Sequence, residues 1–241
     1  MDPVNTKTQF SVADAQGGSR RRKLAALLCP TPYDPFTRFL GSLFDDFPDL
    51  RIPTTLIQVK EPTDYRKLLE AVELGDDTEV VLVFSGHGRD DALLGPPNRH
   101  EINAAANAKY SRFYDKEALA LGPNVLVAFC CSSGAVLGEF FRTDDTRAFM
   151  GFNAPIGFVT ERGSYYECWK KILQESTLKI IYCSDPNELR EFVRQIYLDA
   201  YRYFKSSEGQ EHEWWFWMTL LLRGQLDALE IHGRDEGCSQ A

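Results

Sequence analysis

The sequence lacks the features that would place it in several large functional classes. Positive charge is in deficit, with 27 Lys and Arg against 35 Asp and Glu and a net charge of −8, whereas a nucleic-acid binder displays a basic face. No apolar run approaches the roughly 20 residues that a bilayer-spanning helix needs. Arg20-Arg21-Arg22-Lys23 before Leu24-Ala25-Ala26-Leu27-Leu28 imitates a signal peptide, but the apolar stretch is one strand long and stops at Pro30, short of an h-region. The six cysteines form no framework and several sit inside apolar runs, the usage of a reducing compartment, so a cytoplasmic location is expected. His87, His100, His212 and His232 show no metal-ligand spacing; neither a metal nor an organic cofactor is expected. Internal repeats and low-complexity linkers are absent. The remaining expectation is one compact domain over 20–232, a polar, disordered leader over 1–19 and a flexible tail over 233–241; 241 residues at 44% hydrophobic are enough for a full core.

Two apolar runs stand out because each stops on a reactive residue. Val80-Val81-Leu82-Val83-Phe84 runs into Ser85-Gly86-His87-Gly88, and Val125-Leu126-Val127-Ala128-Phe129 runs into Cys130-Cys131-Ser132-Ser133-Gly134. Short β-branched runs bounded by small residues read as strands buried on both faces, and an open parallel sheet binds ligands beyond the carboxyl ends of its strands. A His at one such end and a Cys at another can meet over a substrate, where the imidazole takes the thiol proton and makes a strong nucleophile. Other cysteine chemistries fit less well. A phosphate-cradling loop wants an Arg six positions after its Cys, where this chain has Leu137, and a thioredoxin-type motif needs two residues between its cysteines, whereas Cys130 and Cys131 are adjacent.

The pair of blocks resembles the caspase-like cysteine peptidases, a superfamily that includes caspases, metacaspases, legumains, separases and bacterial CHAT domains. Cys131-Ser132-Ser133-Gly134, 44 residues after His87, is most similar to the separase and CHAT version, and the likeness covers about residues 23 to 160. It implies a three-layer α/β sandwich, a mostly parallel sheet flanked by helices on both faces. It also implies a cysteine endopeptidase with Cys131 as nucleophile, His87 as base, and the amides of Gly88 and Cys131 as oxyanion hole, with Cys130 in a small-residue slot. Some relatives use calcium as an activator. In the relatives the residue two before the nucleophile lines the pocket for the side chain preceding the cut bond, a role that falls on Phe129. An aromatic wall leaves a buried charge unpaired and so favours an apolar or uncharged residue; Glu161 would instead suit a basic one and Arg162 an acidic one. Ser133 and Thr160 complete the expected substrate-contacting set.

The rest of the chain alternates as a parallel sheet requires. Strands are expected at 23–29, 54–59, 148–152 and 156–159, with a short one at 178–182. Helices are expected around Phe36 to Phe44, 62–72, 115–121, 135–141, 165–175, 188–204 and 214–229. The stretch from Arg89 to Arg112 is long, polar and rich in Gly, Pro and Asn, and reads as a mobile flap beside His87. Trp214-Trp215-Phe216-Trp217-Met218 with Leu220-Leu221-Leu222 reads as a core-packed closing helix, with an interface helix as the alternative. The expected partners are a protein substrate and a separate activating or inhibitory protein, with neither nucleic acid nor membrane. Two other readings stay open, a non-catalytic interaction module on the same fold and a redox switch at Cys130 and Cys131.

Overall fold

The computed structural model describes residues 23–45, 47, 50, 52–58, 78–90, 92–97, 110–115, 124–142, 148–183 and 185–232. The expected helix at 62–72, the leader and the tail lie outside these residues, as does the expected helix at 115–121 apart from Asp115, which ends a strand. The architecture is α/β, built on a six-stranded sheet. β1 (Lys23–Pro30), β2 (Thr54–Leu56), β3 (Thr78–Ser85), β7 (Val125–Phe129) and β8 (Ala148–Phe152) run parallel, and β9 (Leu229–His232) closes one edge antiparallel to β8. The spatial order β2-β1-β3-β7-β8-β9 puts the two strands with reactive ends side by side.

Each central strand feeds two cores. Alternate residues of β3 and β7 point to opposite faces, so Val81, Val83, Val125, Val127 and Phe129 join one cluster while Val80, Leu82, Phe84, Leu126 and Ala128 join the other. Both strands are continuously apolar because both faces are covered. On the first face lie α1 (Pro35–Ser42), α3 (Ser164–Tyr182), α4 (Pro186–Lys205) and α5 (Trp215–Ala228). On the second, Leu137 and Phe141 of α2 (Leu137–Arg142) and Leu93 of β5 (Ala92–Pro97) cover the sheet. Each fully buried Leu, Ile or Phe of these clusters contributes about 1.5–3 kcal/mol relative to exposure.

Helix starts follow local chemistry. Asp34 caps α1 by accepting from Thr37 N–H at 2.8 Å, Thr37 returns the bond to the Asp34 N–H, and Pro35 occupies the first turn. Asp185 caps α4 by accepting from the Asn187 and Glu188 N–H groups, with Pro186 again in the first turn.

Several expectations are corrected. The segment Arg89 to Arg112 is not one long loop: β4 (His87–Arg89), β5 and β6 (Tyr110–Asp115) form a separate antiparallel sheet. The apolar stretch at 178–182 is the last part of α3, not a strand, since Trp169, Ile172, Leu173, Ser176, Thr177 and Ile180 continue one buried stripe at helical spacing. Residues 156–159 form no strand; the Ile156 N–H and carbonyl face the Cys131 sulfur instead. The second strand stops at Leu56, the helix expected at 135–141 begins at Leu137, and the last helix ends at Ala228, where an extended Leu229 starts β9. The closing helix is core-packed on one side only: Met218, Leu222 and Leu226 are buried, while Phe216, Trp217 and Leu220 are about half exposed. Among the described residues no helix is long and apolar enough to cross a membrane.

Candidate active site

The sheet register brings the two reactive blocks together. Ser85 pairs with Phe129 at the carboxyl ends of β3 and β7, so His87 and Cys131 each lie two residues beyond the last paired position of adjacent strands. The Gly86 N–H donates to Phe129 O at 3.4 Å, and Thr31 ties the end of β1 to the same place, its N–H and hydroxyl both donating to Ser85 O at 3.0 and 3.1 Å. Past these bonds the chain at Gly88 presses against Cys131. A Cβ at Gly88 would stand 2.5 Å from Cys131 O and 2.6 Å from Cys130 Sγ, so only glycine permits the approach.

Cys131 projects from a tight turn. Ser132 adopts φ +55°, a left-handed conformation that costs a non-glycine residue about 1–2 kcal/mol and is characteristic of functional sites. The turn is fixed to the end of β8, with Ser132 N–H donating to Ala154 O at 3.0 Å and Gly134 N–H to Phe152 O at 2.7 Å. The Cys131 N–H has no backbone acceptor among the described residues. The sulfur is bracketed by the backbone of one residue: Ile156 N–H points to Sγ at 3.4 Å, and the thiol points to Ile156 O at 3.7 Å. That segment is held from behind by α5, where Gln225 donates to Gly157 O at 2.6 Å and accepts from Tyr197 OH at 3.1 Å.

The neighbouring cysteines are chemically distinct. Parity along the chain sends Cys130 into the second core, fully buried, while Cys131 stays half-buried on the first face. Burial raises the Cys130 thiol far above its ordinary pKa, partly offset by a hydrogen bond from Ser133, so it is held as a neutral thiol. Cys29, Cys130, Cys131, Cys168 and Cys183 are all free. Among the described residues no group of His, Cys, Asp and Glu could hold a metal ion.

A residue missed in the sequence completes the arrangement. His87 Nε2 lies 2.8 Å from Asp34 Oδ2, with the His87 and Asp34 side chains 27% and 31% exposed. Partial burial pushes the Asp34 carboxyl up, but hydrogen bonds from Thr37 N–H, His87 and the Thr37 hydroxyl outweigh it and hold the pKa below its ordinary value. A carboxylate only accepts, so Nε2 is assigned the proton and Nδ1 is the basic nitrogen of the neutral ring. Tyr33 and Phe36 flank the imidazole, with ring centroids 5.6 and 5.7 Å away. Asp34 thus does two jobs, capping α1 and orienting His87. Its sequence signal, Asp before Pro35 with Thr37 three on, announces only the cap.

The expected substrate-contacting residues fare unevenly. Phe129 is fully buried, packed edge-on to Phe152 at 5.6 Å and tilted against Phe158 at 5.9 Å, so it is not itself a pocket wall. Half-buried Phe158 stands in front of it and meets Phe36 at 5.5 Å, and Phe36 in turn stacks on the His87 imidazole, so Phe158 reaches the base through Phe36. Ser133 is also fully buried, its hydroxyl bonded to Cys130 O and Phe152 N–H; its role is to brace the turn, which corrects its assignment to substrate contact. Thr160, Glu161 and Arg162 are exposed between Val159 and α3, with the Arg162 guanidinium over the Tyr166 ring at 5.9 Å.

No protein-family model matches this sequence, and no curated protein matches it.

Proposed function

We propose that the chain is a cysteine endopeptidase of the caspase-like type, with Cys131 as nucleophile, His87 as general base and Asp34 as the group that orients the base. The observation that carries this reading is the register of β3 and β7, which sets His87 and Cys131 at equal offsets beyond adjacent strand ends with Gly88 packed against the Cys131 carbonyl. In the reaction, His87 Nδ1 takes the Cys131 thiol proton and the sulfur attacks the peptide carbonyl carbon. The Gly88 and Cys131 amides receive the oxyanion. His87 then gives its proton to the departing amine, and water, deprotonated by the same nitrogen, hydrolyses the thioester and restores the thiol. Asp34 balances the imidazolium that forms at each proton transfer.

The rings of Phe36 and Phe158 favour an apolar side chain before the scissile bond, because a charged one set against them is desolvated without a partner. Ile156 must release the sulfur for attack, which gives a separate activating or inhibitory protein a point to act on. The same bracketing of Cys131 favours a second reading, a non-catalytic interaction module. A redox switch fits less well, since Cys130 and Cys131 point to opposite faces of the sheet and such side chains cannot be bridged without backbone movement. Incubation of the purified chain with a diverse peptide library, read by mass spectrometry, tests the proposal. Cleavage after Leu, Met or Phe that vanishes in Cys131→Ala is expected; an intact library, with and without candidate activators, leaves the interaction module.

A further inference from the structure

The exposed side of α5 is out of keeping with the rest of the surface. Phe216, Trp217 and Leu220 are 52%, 55% and 49% exposed, while the opposite side of the helix, Met218, Leu222, Gln225 and Leu226, is buried in the core. At 3.6 residues per turn Leu220 falls at the centre of the outward stripe. Phe216 and Trp217 lie one turn before it, and Arg223 and Gly224 one turn after. A Cβ built on Gly224 meets no atom within 4 Å, so the stripe offers two large rings at one end and an open notch beside a guanidinium at the other. Arg223 is held by Asp227, Nε to Oδ2 at 3.0 Å.

This pattern is complementary to itself. When two such helices lie antiparallel about a two-fold axis at Leu220, residue 216 of one faces residue 224 of the other, and residue 217 faces residue 223. Phe216 fills the partner's Gly224 notch, and Trp217 receives the partner's Arg223 over its face, the favoured cation–π pairing. A symmetric interface requires this kind of self-complementarity, in which one patch supplies both knob and hole. An anionic membrane surface fits worse, because the only cation on the stripe is already paired and acidic Glu213 and Asp227 stand at its two ends.

We propose that the α5 face is an interface between two copies of this chain, packed antiparallel about Leu220. Trp214, Phe216, Trp217 and Leu220 together expose roughly 400 Å² of side chain, taking aromatic areas of about 150–250 Å² each. That is near half of the about 800 Å² per partner in a stable complex, so the dimer is weak and concentration-dependent.

Sedimentation of the full chain up to about 100 µM tests it, with Leu220→Asp and Gly224→Ala compared. The wild type is expected to shift toward twice the monomer mass with concentration. Leu220→Asp should stay monomeric with an unchanged circular dichroism spectrum. Gly224→Ala, a change that favours an isolated helix, should weaken the dimer by filling the notch. Under mild oxidation Leu220→Cys in a Cys131→Ala background should form a disulfide-linked dimer absent from Cys131→Ala alone, because only a residue on the axis meets its own copy. A wild type that is monomeric throughout, a dimer indifferent to Leu220→Asp, or a Leu220→Cys protein that does not cross-link would each overturn the proposal, as would association only with lipid vesicles.

Discussion

Gly88→Ala tests the packing that joins the two halves of the site. The added methyl would stand 2.5 Å from Cys131 O, 2.6 Å from Cys130 Sγ and 3.0 Å from Cys130 Cβ, against roughly 3.5 Å for carbon at its optimal separation. Neither obstacle can yield cheaply. Cys131 O belongs to a turn anchored by the Ser132 to Ala154 hydrogen bond, and Cys130 is fully buried. The strand carrying His87 and Gly88 must therefore back away by about 0.5–1 Å. Overpacking of this kind costs about 1–3 kcal/mol, read as a fall in the urea midpoint with an unchanged slope. The same displacement moves the proposed base and one oxyanion donor away from Cys131, and a misplacement near 1 Å costs about 100-fold in rate. The assay is the second-order rate of covalent labelling by a peptidyl electrophile, measured well below the denaturation midpoint. A variant as stable and as reactive as the wild type would refute the packing. Lost stability with wild-type labelling would keep the packing and remove Gly88 from the chemistry.

Two further substitutions separate the roles of neighbouring groups. Asp34→Ala should lose both the cap and the His87 contact, costing about 0.5–2 kcal/mol for the cap, whereas Asp34→Asn should keep most of the cap; both should slow labelling at least about tenfold, within the loss of about 10⁴ set by removing an orienting carboxylate. Because the folded Asp34 pKa is lowered, its charge stabilises the fold fully above the ordinary carboxylate range. That contribution is lost as pH falls through the lowered value, so the stability gap between wild type and Asp34→Asn should close only in acid; a gap independent of pH would contradict the assignment. Phe158→Ala should change the preferred residue before the cut bond toward bulkier apolar side chains by about 10- to 200-fold in specificity constant, with Phe129→Ala affecting mainly stability. An unchanged preference in Phe158→Ala would show that the pocket lies elsewhere.

The legible parts of this protein are those written locally. β3 and β7 could be read because strands covered on both faces are apolar without interruption, and their sequence ends coincide with His87 and Cys131. The opposite facing of Cys130 and Cys131 follows from strand parity alone. Asp34 escaped because its partner is 53 residues away, and the contact depends on β1 lying beside β3, a fact of sheet order that no short window contains. Phe129 was misjudged for the same reason: parity gives its face, but only the rings of Phe152 and Phe158, brought in from beyond β7, show that it is sealed. β9 is four residues long, too short for its Leu-Glu-Ile-His alternation to stand out after a helix, and the β-branched end of α3 was outweighed by a buried stripe extending back to Trp169.

The central claim is that Cys131 is a nucleophile activated by His87, and site-mapped covalent labelling measures it most directly. The intact chain is treated with an electrophilic peptide bearing Leu at its reactive end, digested and sequenced by mass spectrometry, alongside His87→Ala and Cys130→Ala. The account predicts one adduct, on Cys131, slowed about 10²–10⁴-fold in His87→Ala and nearly unchanged in Cys130→Ala. Labelling spread over Cys131, Cys168 and Cys183 at similar rates, or a Cys131 adduct that forms equally fast without His87, would contradict it.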